Sequence, residues 1–350
     1  MPPVSAPARK PSLLTPRTLV PVGLVLLVLL LWLVHAHTSF NWRSLGHQLR
    51  SVSPLLILAA IACSYFGLWL RAWRWSVLLS PLHKTSTREM FPPQLIGFTI
   101  VGLFGRVADL ARPYLIARRL KTSVATQLAV YSIERAFDLA AAAILFSATL
   151  AFAPRDMPHH EAFAHAGVIS LAATLFLAAF ALALRFAGHH VATFATRLLR
   201  PLSETFAHAA AARILEFSHG LRIVSTVGEF LSALAISILM WLFIAATYLF
   251  CAHAFQAAPS LATLSFAATM LLLATSLGGS LLQLPILGWF TQTAVLAAAL
   301  HGFFDVPLET ASACGAVILL VSGLSVIPAG LLAAHLEGIS LRDAASTPST

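Results

Sequence analysis

The sequence predicts an all-α fold, a polytopic helical membrane protein of about eight transmembrane helices with one or two re-entrant segments. Three observations carry that prediction. Hydrophobic residues fill 59% of the 350 positions. Charged residues fill 10%, against about 25% in an ordinary soluble domain. Apolar runs recur at 18–34, 54–70, 140–153, 166–184, 231–250 and 310–334, several of them near or above the roughly 18 residues that a membrane-crossing helix needs. A water-soluble fold could not hide that much apolar side chain.

The elements follow in order. Arg9, Lys10 and Arg17 precede the first apolar run and no small-x-small cleavage site follows it, so 18–36 reads as a retained signal anchor behind a disordered cytoplasmic segment, 1–17. Basic residues in short connections resist translocation. Arg106, Arg112, Arg118, Arg119 and Lys121 therefore place 106–121 inside, and Arg185, Arg197, Arg200, Arg213 and Arg222 do the same for 185–228. Spans at 18–36, 54–79, 127–153, 166–186, 229–251, 261–277, 285–303 and 308–334 satisfy this bias. They make one transmembrane domain over 18–341 in the inner (cytoplasmic) membrane, with both termini cytoplasmic and a disordered tail at 342–350.

Two stretches are irregular. Residues 91–105 open with Pro92-Pro93, contain Gly97, Gly102 and Gly105, and are too short to cross, so they are expected to enter the membrane and return. Residues 275–289 are interrupted by Gly278, Gly279, Pro285 and Gly288. Non-helical backbone at membrane depth must be buried in protein or line a wet cavity, and a pair of such interruptions points to a transporter's substrate site. Ordinary kinks are the alternative. Residues 203–225 repeat apolar positions at helical spacing with Arg213, Glu216, His219 and Arg222 between them, the pattern of an amphipathic helix on the cytoplasmic surface.

Charged residues inside apolar segments are the candidate functional ones, because a charge in mid-membrane is retained only with a partner or a purpose. Arg71 and Arg74 lie three apart among Trp69, Trp73 and Trp75. They read either as snorkelling arginines in an aromatic belt or as a clamp for phosphate oxygens, which guanidinium forks bind two at a time. Arg106, Asp109 and Arg112 follow the first irregular stretch at i, i+3 and i+6, so that Asp109 can hold either arginine; Pro113 is a potential helix breaker. Glu134, Arg135 and Asp138 lie some 10–16 Å along the span counted from 127. Glu134 and Asp138 share a face and Arg135 can pair with Asp138, as a structural ion pair or as a substrate or proton site.

No catalytic, nucleotide-binding or metalloprotease motif occurs, no cofactor or metal is called for, and no enzyme is named by any motif. Cys63, Cys251 and Cys314 are isolated in apolar stretches, and His159, His160, His165, His189 and His190 lack a helical ligand spacing. The net charge of +9 is spread between apolar runs without a groove-entering element, which points away from nucleic acid and towards anionic lipid. The expected partners are the membrane and an anionic phospholipid or lipid-linked phosphate; homo-oligomerisation is left open. Lipid translocation is the leading function. A membrane enzyme of lipid-linked glycan metabolism, with Asp109, Glu134 or Asp138 as acid or base, and a non-transporting scaffold are the alternatives.

The segments LRAWRWSVLL at 70–79, GRVADLARPYLIARRL at 105–120, IERAFDL at 133–139 and LHGFFDVPLETA at 300–311 resemble the transmembrane-domain family of lysylphosphatidylglycerol synthase/flippase proteins. Where that family usually has Gly-Glu, this chain has Ala108-Asp109, which keeps the acid, and Phe104 stands where a Pro is common. The resemblance implies an eight-span fold with re-entrant helices and movement of a phospholipid or other lipid-linked anionic head group between leaflets. The soluble aminoacyl-transferase domain of the longer members is not in this sequence, so lysyl transfer is not expected from it alone.

Overall fold

In the computed structural model, residues 41–151, 160–200, 203–204, 211–212, 226–279 and 287–339 are described, and every regular element among them is helical. The anchor expected over 18–36, the ends 1–17 and 342–350, His159, most of the amphipathic helix expected over 203–225 and the centre of 275–289 lie outside the described residues.

A short helix, α1 (Trp42–Arg50), begins where the Asn41 side chain accepts from the Arg43 and Ser44 N–H groups at 3.0 and 3.1 Å. Its start is tied to a distant helix, since the Asn41 N–H donates to Glu309. Pro54 then opens α2 (Pro54–Leu79), in the first-turn position where proline's missing donor costs nothing. Its bounds coincide with the span expected at 54–79. Helix α3 (Thr87–Phe104) begins before the irregular stretch at 91–105 and runs through Pro92-Pro93. A capping box between Ser86 and Glu89 fixes that early start. The two prolines then leave only the carbonyls of Arg88 and Glu89 without intrahelical donors, and both residues are in the exposed first turn.

Gly105, at φ 82°, reverses the chain into a 3-10 turn over Arg106–Leu110 and then α4 (Ala111–Leu120), which packs back against α3. Pro113 does not break this helix, because it falls in the first turn of α4. Helix α5 (Val124–Ala151) has 28 residues, enough to cross a membrane, but carries Glu134, Arg135 and Asp138 across its middle. Helix α6 (His160–Leu199) continues well past the span expected at 166–186, with a kink at Ala187. Thr226 and Glu229 form a second capping box at the start of α7 (Val227–His253). The remaining helices are α8 (Pro259–Ala262), α9 (Phe266–Gly279), α10 (Leu287–Phe304), α11 (Leu308–Leu319) and α12 (Val326–Leu336), the last two joined through a π-helical turn at Leu320–Leu324.

Helix α2, helix α7 and the continuous run Leu308–Leu336 are, by length and composition, long and apolar enough to cross a membrane. Among the described helices, α2 and α7 pack along each other most extensively. The larger apolar core lies on the side of α7, α9, α10 and α11, around Met240, Phe255, Leu272 and Ile318. A smaller one gathers Trp75, Ile116, Val130 and Phe137 from α2, α4 and α5. The charged residues lie beside this smaller core.

The α3–α4 hairpin is held against α12 by small residues and by charge. Gly330 of α12 meets α3 so closely that a Cβ there would overlap Thr99 and lie 2.7 Å from the Leu95 carbonyl oxygen. Arg119 at the end of α4 pairs with Glu337 just beyond α12. The π turn separates α11 from α12, and at its end the Ser325 carbonyl accepts from the Tyr65 hydroxyl at 2.8 Å.

Gly330→Val is expected to lower the unfolding temperature of the detergent-solubilised protein, at a cost of about 1–3 kcal/mol from overpacking. Gly67→Ala, where an added methyl meets nothing within 4 Å, is expected to leave it unchanged or raise it. Thermal unfolding of both variants beside the wild type checks the pair.

Candidate functional site

The three charged groups read separately in the sequence converge in space. Arg74 of α2 is fully buried, and its fork is filled on both arms. Nη1 donates to Asp138 Oδ1 at 2.6 Å and to Ser237 Oγ at 2.7 Å, while Nη2 donates to Glu134 Oε1 at 2.6 Å. Glu134 and Asp138 can both reach one guanidinium because they stand four residues apart on α5. One side chain of α2 thus ties together α5 and α7. The snorkelling alternative does not describe Arg74, whose charge faces the interior.

Arg112 of α4 is held just as tightly. Its Nε donates to Asp109 Oδ1 at 2.9 Å, and Nη1 donates to Gln94 Oε1 at 3.2 Å and lies 3.6 Å from Glu134 Oε1. The other Asp109 oxygen accepts from the Tyr131 hydroxyl at 2.5 Å. The stem of Arg112 lies directly on Gly97, where a Cβ would overlap Arg112 Cγ and come within 2.8 Å of Cδ. Its guanidinium carbon stands 4.9 Å from the Phe98 ring centre and 5.3 Å from that of Tyr131, distances at which an aromatic face attracts a cation. Sequence spacing foresaw the Asp109–Arg112 pair. The side chain of Arg106, the other arginine of that group, lies outside the described residues.

Arg71 and Arg135 are bound more loosely. Arg135 donates from one nitrogen, Nη2, to Glu134 Oε1 at 3.1 Å and to Asp138 Oδ2 at 2.9 Å, and 37% of its side chain is exposed. Its Nε is buried without a hydrogen-bond partner among the described residues. Arg71 comes within 3.7 Å of Asp138 and 3.8 Å of Glu134, beyond hydrogen-bond length, with 14% of its side chain exposed and its guanidinium 5.1 Å from the Phe98 ring centre.

Glu134 is the hub. Its Oε1 faces all four arginines, while Oε2 is buried without a partner, as is Gln94 Nε2. With every group ionised, the arginines at 71, 74, 112 and 135 exceed the carboxylates at 109, 134 and 138 by one charge among the described side chains. From the start of α5, Arg135 stands about 16 Å along the axis. The cluster is therefore a cationic, partly unsatisfied site facing an aromatic wall.

Reading charges alone missed the uncharged members. Gln94 lies within the irregular stretch quoted above and Tyr131 stands three residues before Glu134, so proximity to the charged motifs was an available signal for both. Ser237, in the apolar run of α7, carries no such signal.

Residues 20–336 match the family model described as the lysylphosphatidylglycerol synthase TM region. Comparison with curated proteins gives no match.

Removing one partner from a buried ion cluster leaves the others desolvated and unneutralised, which costs about 3–5 kcal/mol. Arg74→Gln is expected to destabilise the solubilised protein on that scale, and Arg135→Gln, whose side chain is partly exposed, by about 1 kcal/mol or less. Thermal unfolding of both variants in one detergent measures the difference; equal losses would contradict the distinction between a locked and a loosely held arginine.

Proposed function

This chain belongs to the lysylphosphatidylglycerol synthase TM-region family, and we propose that it binds an anionic phospholipid or other lipid-linked phosphate and carries it across the cytoplasmic membrane. The observation that supports this reading best is the unequal use of the arginines. Both terminal nitrogens of Arg74, and Nε and Nη1 of Arg112, donate to carboxylates and to Ser237 or Gln94. Arg71 makes no hydrogen bond to a carboxylate, and Arg135 uses one nitrogen for two. Both are partly exposed, on a cluster that carries one positive charge in excess.

A phosphate oxygen meets that arrangement at little reorganisation cost. Its charge offsets the excess cation, and charge-assisted hydrogen bonds from guanidinium to phosphate are about twice as strong as neutral ones. In this reading Arg71 and Arg135 meet the phosphate, and Arg106, at the start of the 3-10 turn after Gly105, is proposed as a third phosphate ligand. Arg74, Asp109, Arg112, Glu134 and Asp138 hold the geometry and set the charge balance. The hairpin, turned at Gly105, is the re-entrant segment, and 275–289 is its counterpart in the second half of the chain. The basic connections at 106–121 and 185–228 keep both termini cytoplasmic, in the inner membrane.

Arg71→Gln and Arg135→Gln are each expected to reduce retained phosphate-bearing lipid about tenfold or more, the loss of one charged hydrogen-bond contact, with little change in unfolding temperature. Native mass spectrometry of the purified proteins reads the lipid directly, and a fluorescent-lipid translocation assay in proteoliposomes reads transport. Wild-type protein that retains no phosphate-bearing lipid, or variants that retain it undiminished, would remove the basis for this reading.

A further inference from the structure

A small open groove lies between the second half of α5 and α9. Phe146, Thr149 and Leu150 form one wall and Ala267, Met270 and Ala274 the other. The only hydroxyl among these six is satisfied within its own helix, because Thr149 Oγ1 donates to the Leu145 carbonyl at 2.7 Å. The walls therefore offer hydrocarbon contact and no hydrogen bonds.

Its position relative to the charged cluster is the informative feature. Phe146 follows Arg135 by eleven residues on an unbroken helix. Eleven residues are close to three full turns, so the two side chains share a face of α5, about 16 Å apart along the axis. That separation is about half of the roughly 30 Å hydrocarbon core, the depth that one leaflet's acyl chains span. An anionic head at Arg135 and a hydrocarbon groove one acyl length away on the same face are complementary to the two ends of a single lipid.

We propose that this groove is an acyl-chain subsite, holding one fatty-acyl tail of the lipid whose phosphate sits at Arg71 and Arg135; the inference rests on the phosphate-binding reading given above. It commits the substrate to being a long-chain lipid and separates it from a water-soluble phosphate, which the cluster alone would accept. It also gives the bound lipid a direction. The head lies towards the start of α5, the end adjoining the basic 106–121 connection, and the tail points away from it.

The test uses the full chain in phosphatidylcholine nanodiscs, with phosphatidylglycerol carrying a diazirine near the end of one acyl chain. After irradiation, adducts in the wild type are expected to concentrate at 146–150 and 267–274, and to fall about tenfold or more in Arg135→Gln and under excess unlabelled phosphatidylglycerol. Ala274→Phe, which fills the groove, is expected to remove the adducts while the cluster's arginines remain in place. Should that variant fail to fold, the Arg135→Gln and competition measurements on folded protein still decide. Groove adducts that are unchanged by Arg135→Gln and by competition would mark ordinary bilayer contact and overturn the proposal. So would their absence from the wild type, as expected if another helix of this chain or a second copy fills the groove. In either case, retention of phosphate lipid that still depends on Arg71 and Arg135 would leave the cluster reading standing; loss of that retention as well would overturn both.

Discussion

Arg74 is a permanent charge placed where water cannot reach it, and the arrangement of α2, α5 and α7 follows from the need to satisfy it. A desolvated guanidinium is tolerated only when carboxylates of good geometry surround it and its donors are filled. Here Glu134 and Asp138 supply the charge and Ser237 a further acceptor to the two terminal nitrogens, at 2.6 to 2.7 Å, while Nε is buried without a hydrogen-bond partner among the described residues. Because each partner sits on a different stretch of backbone from Arg74, the contact fixes the rotation of three helices about their axes. In lipid, where tails are as apolar as leucine, hydrophobicity gives little preference for one rotation over another, and polar contacts and close packing have to set it.

The same contact organises the rest of the cluster. Once Glu134 is held by Arg74, its Oε1 becomes the point towards which Arg112, Arg135 and Arg71 turn. Arg112 can reach it only because Gly97 leaves room for its stem, and α3 can bring Gly97 there only because Gly330 lets α12 approach from behind. Two glycines on different helices thus act on one electrostatic centre. Phe98, Tyr131 and Trp75 face the guanidinium groups and exclude water, while the loosely held arginines keep the cluster open on one side. A site built this way is rigid where its charges are matched and receptive where one is not.

Much of this is visible in the chain before it folds. The i, i+3 spacing of Asp109 and Arg112, and of Arg135 and Asp138, foretold pairs that form, because Arg135 and Asp138 share α5 and the 3-10 turn that carries Asp109 runs directly into α4. Pro113 and Pro92-Pro93 were harder to read. A proline disrupts a helix according to how far it lies from the first turn, and that turn is set by neighbours such as Ser86 and Glu89 whose capping role the apolar pattern does not display. For Arg71 and Arg74 the sequence offered two readings of equal standing, since an arginine beside tryptophans fits an interfacial belt and a buried clamp alike.

The amino-acid sequence by itself determined the class of the molecule, its main helices and the short-range charge pairs. Hydropathy, helical periodicity and spacings of three and four are properties of neighbouring residues. Only the tertiary structure decided that Arg74 faces inwards, that Glu134 serves four arginines, that Gln94 and Ser237 belong to the cluster, and that a hydrocarbon groove lies along α5 beyond it. Those facts depend on residues 60 and 163 positions apart meeting at hydrogen-bond distance, and such meetings are set by how helices rotate and cross, which no local pattern records.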